Sequence, residues 1–263
     1  MNDVPARWLD LRRHTSARVA LGRAGNGLPT AAHLDFQAAH ARARDAVWSA
    51  LDLDRLEADC APLGLPIHRV ASQAEDRRQY LLRPDLGRRL RETDAHRLAR
   101  SPTPGAFLIV VADGLCAEGI QHGAPGLLAA LIPALNAQRM APGPIILAQQ
   151  ARVALGDEIG EAMQAAMVVV LIGERPGLSA TDSIGAYLTW GPRLGRRDAE
   201  RNCLSNIRPG GLSPAEAAAK LAWLMQAAMA RGGSGVALKD AAPTLGLASD
   251  RAPPPALAQG DAP

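Results

Sequence analysis

The sequence predicts an α/β protein: a Rossmann-like parallel sheet with helices on both faces, preceded by a mostly helical N-terminal arm. Three observations carry this. From Phe107 onward, short aliphatic runs alternate with helix-length stretches, the order that a sheet with crossover helices produces. The runs at Phe107–Ala112 and Val168–Ile172 end in Asp113-Gly114 and in Gly173, followed by Pro176 and Gly177, residues that turn the chain out of a sheet. The strongest run, Val168-Val169-Val170-Leu171-Ile172, is apolar at every position. It is too short for a lone helix and reads as a strand buried on both faces, as parallel sheets require.

Taken in order, residues 1 to about 30 are polar and Arg-rich, punctuated by Gly22-Arg23-Ala24-Gly25-Asn26-Gly27-Leu28-Pro29. No Gly-Lys-Ser or Gly-Lys-Thr follows, so this stretch reads as a turn rather than a phosphate loop. Thr30 is the expected N-cap of a helix reaching about Leu51, with Leu34, Ala38, Ala41 and Val47 or Trp48 along one face. Leu63-Gly64-Leu65-Pro66 is a turn, Gln79–Leu82 a short strand, and Pro84–Arg100 a second helical region. Residues 1–103 thus form the arm, and Ser101-Pro102-Thr103-Pro104-Gly105 marks its end.

Residues 104–241 are expected to hold the sheet. Strands are predicted at Phe107–Ala112, Ile145–Ala148 and Met167–Ile172, with a fourth at Cys203–Ile207. Helices are predicted at Gly126–Arg139 and Asp157–Ala166. A third starts at Ser213-Pro214-Ala215-Glu216, where Ser caps, Pro opens the first turn and Glu closes a capping box. It stops at Gly232-Gly233 near Arg231. Residues 242–263 are Pro- and Ala-rich and are expected to be a disordered tail.

Composition narrows the function. Lys and Arg number 29 against 26 Asp and Glu, a net charge of +3, so no nucleic-acid footprint is present. No apolar stretch reaches membrane-spanning length, and the start lacks the layout of a secretory signal. Cys60, Cys116 and Cys203 lie far apart with no Cys-x-x-Cys, the pattern of reduced thiols in the cytosol. The six histidines show no metal-ligand spacing. No nucleophile elbow, Walker loop or carboxylate pair occurs, so no catalytic residue is assigned. After Val111 comes Ala112-Asp113-Gly114-Leu115-Cys116-Ala117, without the Gly-x-Gly-x-x-Gly of dinucleotide folds. A nucleotide-dependent oxidoreductase is therefore the weaker alternative.

Glu174 is the most informative single residue. It follows Met167–Ile172 at once, and in open α/β sheets ligands bind beyond the carboxyl ends of the strands. The plain alternative is a solvated loop carboxylate paired with Arg175. Cys203 taken alone reads as a small apolar side chain.

Several stretches then fall into one pattern. They are Ala17-Arg18-Val19 with Gly22-Arg23-Ala24-Gly25, Tyr80-Leu81-Leu82-Arg83-Pro84-Asp85-Leu86-Gly87-Arg88-Arg89-Leu90, and Asp113-Gly114-Leu115. The strongest are Gly173-Glu174-Arg175-Pro176-Gly177-Leu178 and Asp198-Ala199-Glu200-Arg201-Asn202-Cys203-Leu204-Ser205-Asn206-Ile207. In order and spacing the chain resembles the small (light) subunit family of ethanolamine ammonia-lyase from about residue 7 to 240. That resemblance implies a part in converting ethanolamine to acetaldehyde and ammonia with adenosylcobalamin. It implies a hetero-oligomer in which a TIM-barrel large subunit conducts the radical chemistry and this chain covers part of the cofactor. The family's cobalamin contacts fall here on Val153, Glu174 and Cys203. Cobalt keeps its dimethylbenzimidazole ligand in this family, so Asp94-Ala95-His96 is not read as a cobalt-binding loop. A cytoplasmic location is expected. Packaging in a bacterial microcompartment is the alternative, which the short N-terminal extension disfavours.

Overall fold

The computed structural model describes residues 6–241. Its elements are α1 (Ala6–Leu11), α2 (Thr30–Trp48), α3 (Leu53–Cys60), β1 (Ile67–Ala71), α4 (Arg77–Leu82) and α5 (Glu92–Ala99). They continue with β2 (Phe107–Ala112), α6 (Ala117–Ala137), β3 (Pro142–Gln149), α7 (Leu155–Ala162) and β4 (Met167–Gly173). β5 (Ile184–Trp190), β6 (Arg201–Ile207) and α8 (Pro214–Arg231) complete the set.

The six strands form one sheet in the order β1-β3-β2-β4-β5-β6. β1, β3, β2 and β4 run parallel. β5 is antiparallel to β4, and β6 to β5. Two reversals bring β6 back to the direction of β4, so the four anticipated strands share one direction and only β5, which was not anticipated, runs against them. The reason lies in the link between β4 and β5. Residues 174–183 contain no helix, and a parallel return needs a crossover of a dozen or more residues.

Alternate residues of each strand feed two cores. Ile109, Val111, Ile145, Leu147, Val169 and Leu171 pack with Leu128, Leu131, Leu221 and Met225 of α6 and α8. Leu108, Val110, Ile146, Val168 and Val170 pack with Leu98, Leu155 and Ile159 of α5 and α7. Burying side chains of this size contributes about 1.5–3 kcal/mol each, and helices cover both faces as expected. α6 begins at Ala117, earlier than Gly126. Cys116 caps it, its Sγ accepting the Gly119 N–H at 3.3 Å, and Pro125 and Pro133 are carried inside the helix. α8 matches expectation closely: the Ser213–Glu216 capping box forms, and Gly232 ends the helix at φ 70°.

The N-terminal segment differs more. Residues 22–29 do make a tight turn, with Ala24 and Gly27 exchanging both backbone hydrogen bonds at 3.0 and 3.1 Å. Thr30 is the first residue of α2, and Pro29 in the capping position supplies no side-chain bond. α2 buries Ala39 and Ala46, not the face through Leu34 and Trp48. Gln79–Leu82 is helical, because Asp76 Oδ1 caps α4 through the Gln79 N–H at 2.7 Å. The Pro84–Arg100 region divides into a 3-10 turn at Leu86–Arg88 and α5. Ile67–Ala71 was not expected as a strand. It pairs with β3 from Ile67↔Ile145 to Ala71↔Gln149, so the sheet draws on both sides of the anticipated boundary at 103–104. The anticipated tail, residues 242–263, lies outside the described residues.

One buried ion pair fastens α7 to β6. Arg201 donates from Nη1 and Nη2 to the two oxygens of Asp157, each at 2.6 Å. It also donates to Thr189 Oγ1 at 2.8 Å. Both side chains are nearly inaccessible, at 2% and 4%. Asp157→Ala is expected to cost about 3–5 kcal/mol by stranding the guanidinium. Adding Arg201→Met should recover much of that loss, as read from urea denaturation of the three variants.

Candidate functional site at the carboxyl edge of the sheet

The parallel strands β2, β3 and β4 end together, and the loops leaving them define a shared edge. After β2 comes Asp113, 3% exposed. Its Oδ1 accepts the N–H groups of Gly114 and Ala151 at 2.9 and 3.0 Å, and its Oδ2 accepts that of Gln150 at 2.9 Å. Arg77 of α4 lies 3.5 Å away and also donates to Gly114 O at 2.8 Å. Burial pushes the Asp113 carboxyl up, against the downward pull of the amides and Arg77. Gln150 stands at φ 51°, a strained conformation that the Asp113 bond holds in place.

The loop after β4 is pressed against the loop after β2. A Cβ on Gly173 would sit 2.0 Å from Cys116 O and 2.5 Å from Asp113 O. Gly114, at φ 57°, would bring its own Cβ within 2.2 Å of Gly173 O. Glycine at both positions permits the approach, and Leu115 N–H donates to Gly173 O at 2.9 Å.

Glu174 leaves this contact half-buried. Its backbone N–H donates to Ser183 O at 3.0 Å, and its Oε2 accepts the Asn206 N–H at 3.0 Å. The carboxylate thus bridges β4 to the end of β6 instead of pairing with Arg175. Val153 follows β3 and is half-buried. Together, Val153 and Glu174 line a cleft of about 270 Å3 with Tyr80, Arg152 and Tyr187.

Cys203 does not line that cleft. It is exposed and lies within β6, two residues after the strand begins, not at its start. Its cross-strand partner is Tyr187, and directly opposed residues share a face. Burial, then contact with Cys203, then the charge of Glu174 push the Tyr187 hydroxyl above its ordinary range. Tyr187 therefore joins all three anticipated residues.

Several edge residues were missed from sequence. Tyr187 sits on the unanticipated strand β5. Tyr80 lies under Arg152, whose guanidinium carbon is 4.3 Å from the ring centroid, and its hydroxyl donates to Ala151 O at 3.1 Å. Asp113 carried the same signal as Glu174, an acid directly after a buried strand. Three edge atoms are buried without a hydrogen-bond partner: Arg77 Nη2, Arg152 Nε and Gln150 Oε1. Among the described residues, no three His, Cys, Asp or Glu side chains are placed to share a metal ion.

Fold and edge together define an α/β protein with an open six-stranded sheet, a class in which ligands bind beyond the carboxyl ends of the strands. The chain belongs to the ethanolamine ammonia-lyase light-chain family: residues 5–239 match the family described as Ethanolamine ammonia-lyase light chain (EutC). It is 53% identical over 253 residues to the ethanolamine ammonia-lyase small subunit of Bradyrhizobium diazoefficiens, covering 95% of each chain. It is 53% identical over 232 residues to that of Rhodopseudomonas palustris, covering 88% and 89%. With the small subunit of Pseudomonas syringae pv. tomato it shares 50% over 254 residues, covering 95% and 88%.

Gly173→Ala should disturb the edge directly. The added methyl has only backbone atoms to displace, and overpacking of this kind costs about 1–3 kcal/mol. A lowered urea midpoint with unchanged slope is the expected result.

Proposed function

We propose that this chain serves as the small subunit of an adenosylcobalamin-dependent ethanolamine ammonia-lyase. In this reading it helps to bind the cobalamin through Val153, Glu174 and Cys203, at its interface with a TIM-barrel large subunit. Family membership supports the ammonia-lyase assignment and leaves the nucleotide-dependent oxidoreductase reading without support. The observation that carries the cofactor contact is the convergence on Tyr187. It lines a cleft with Val153 and Glu174 and stands opposite Cys203.

The residues suit such a cofactor. Val153 offers apolar surface for a corrin ring. Glu174 has one oxygen engaged by the Asn206 N–H, and a carboxylate has further lone pairs for the amide N–H groups of the corrin's side chains. Arg152 Nε is a buried donor lacking a partner, a group that an acceptor on a bound cofactor can complete. When bound, adenosylcobalamin supplies the radical chemistry of the deamination. This chain's own residues bind and orient it and keep water from its covered side.

Residues 1–103 are proposed to dock on the large subunit, while residues 104–241 contact the cofactor. Only Ala39 and Ala46 of α2 are buried, and Leu34, Phe36 and Trp48 are exposed. A helix that presents aromatic and aliphatic side chains while burying two alanines is suited to a protein surface. Among the described residues no helix is long and apolar enough to cross a membrane, and a cytoplasmic location is proposed.

Glu174→Ala should weaken cobalamin binding by the assembled enzyme about ten- to a hundredfold, as expected for a lost hydrogen bond to a charged group. Glu174→Gln retains an acceptor oxygen and should lose less. Equilibrium dialysis of the assembled complex measures both, and an unchanged affinity in Glu174→Ala would remove the contact. The Leu34→Ser/Phe36→Ser double variant should weaken association with the large subunit about tenfold or more. Its circular dichroism should match the parent, because both side chains are exposed.

A further inference from the structure

A second cleft, of about 630 Å3, opens beside the first. Arg152, Val153 and Tyr187 line both. The wall of the second is basic: Arg88, Arg89, Arg152, Arg196, Arg197 and Arg201 stand against Asp157 and Asp198.

Internal pairing accounts for half of these cations. Arg201 is bonded to Asp157 and lies 3.5 Å from Asp198. Arg89 is bonded to Glu158, and Arg196 to Glu200. Arg88, Arg152 and Arg197 form no ion pair with a carboxylate among the described residues. They come from three separate segments: the 3-10 turn before α5, the loop after β3, and the approach to β6. Arg152 is held in place by its stacking on Tyr80, with Nε buried and unpartnered. Arg88 and Arg197 are exposed.

Arginines without carboxylate partners, converging on a concave surface, suit a phosphate, which they bind through paired N–H donors. Cobalamin carries one phosphate, the diester that links its corrin side chain to the ribose of the nucleotide tail. We propose that the basic cleft receives this phosphodiester, with Arg88, Arg152 and Arg197 as its contacts. The inference rests on the reading that cobalamin lies against Val153 and Glu174. Val153 is the hinge between the two halves of the site, with corrin contacts on one side of it and the phosphate on the other.

The test uses the assembled two-subunit enzyme and three probes. Adenosylcobalamin carries phosphate and base, adenosylcobinamide phosphate carries phosphate without base, and adenosylcobinamide carries neither. Affinities are read by equilibrium dialysis. The Arg88→Ala/Arg197→Ala variant should bind the two phosphate-bearing probes about tenfold or more weakly and bind adenosylcobinamide as the parent does. Arg88→Lys/Arg197→Lys should lose less. Equal losses on all three probes, or no loss on any, would overturn the proposal. So would weakened subunit association with unchanged cofactor affinity, which would assign the arginines to acidic side chains of the large subunit. Glu174→Ala, run in parallel, separates the two readings. If it weakens all three probes while the arginine pair changes none, only the phosphate site falls. If Glu174→Ala changes none, the edge reading falls and this proposal with it.

Discussion

The carboxyl edge depends on one buried carboxylate. Asp113 accepts three backbone N–H groups from two loops and stands beside Arg77. Arg77 in turn reaches Val47 O at 2.7 Å and Gly114 O at 2.8 Å. The end of β2, the loop after β3, α4 and the end of α2 are thereby joined through two side chains. A charge with so little exposure persists only because it is paired and hydrogen-bonded. Without it, the strained backbone at Gln150 would have no anchor, and the path that delivers Arg152 and Val153 to the cleft would be unset. Tyr80 extends the arrangement, with Arg77 and Arg152 both lying over its ring, at 4.8 and 4.3 Å from the centroid.

The antiparallel extension shapes the other wall. β5 brings Tyr187 and β6 brings Cys203 to the face that α7 covers, and the Asp157–Arg201 pair fixes β6 against α7. Glu174 closes the arrangement at its end through the Asn206 N–H. The site is thus enclosed by loops following parallel strands on one side and by an antiparallel pair on the other.

What could be read from sequence follows from how local each cause is. β2, β3 and β4 are apolar on both faces, so their composition alone gives them away. Ser213 and Glu216 cap α8 within one turn, and that signal is local too. β1 was hidden because Ile67-His68-Arg69-Val70-Ala71 mixes polar and apolar residues, as an edge strand can. β5 was hidden because Gly185 and Thr189 interrupt its apolar pattern, and its direction is set by the length of a loop. α4 was misread as a strand because its cap, Asp76, precedes a run without helical amphipathicity. Glu174 was legible as a residue following a strand, whereas Val153 was named through family resemblance and its place after β3 agrees with that. Cys203 came from family resemblance, and its relation to them appears only once β5 is placed between β6 and β4. Tyr187, Arg77 and Tyr80 act through contacts far apart in sequence, which no local pattern encodes.

The position of β1 has a consequence for synthesis. Among the described residues its strand partner is β3, at Ile145–Gln149, so Ile67–Ala71 emerges from the ribosome long before that partner exists. β3 in turn lies beside β2, and the sheet acquires this edge only after the chain has passed residue 149. Such sequence-distant pairing is slow, because the loop must close before the contact forms. The nascent chain therefore carries an unpaired strand while residues 72–149 are made, a window in which a chaperone or the waiting partner subunit can engage it.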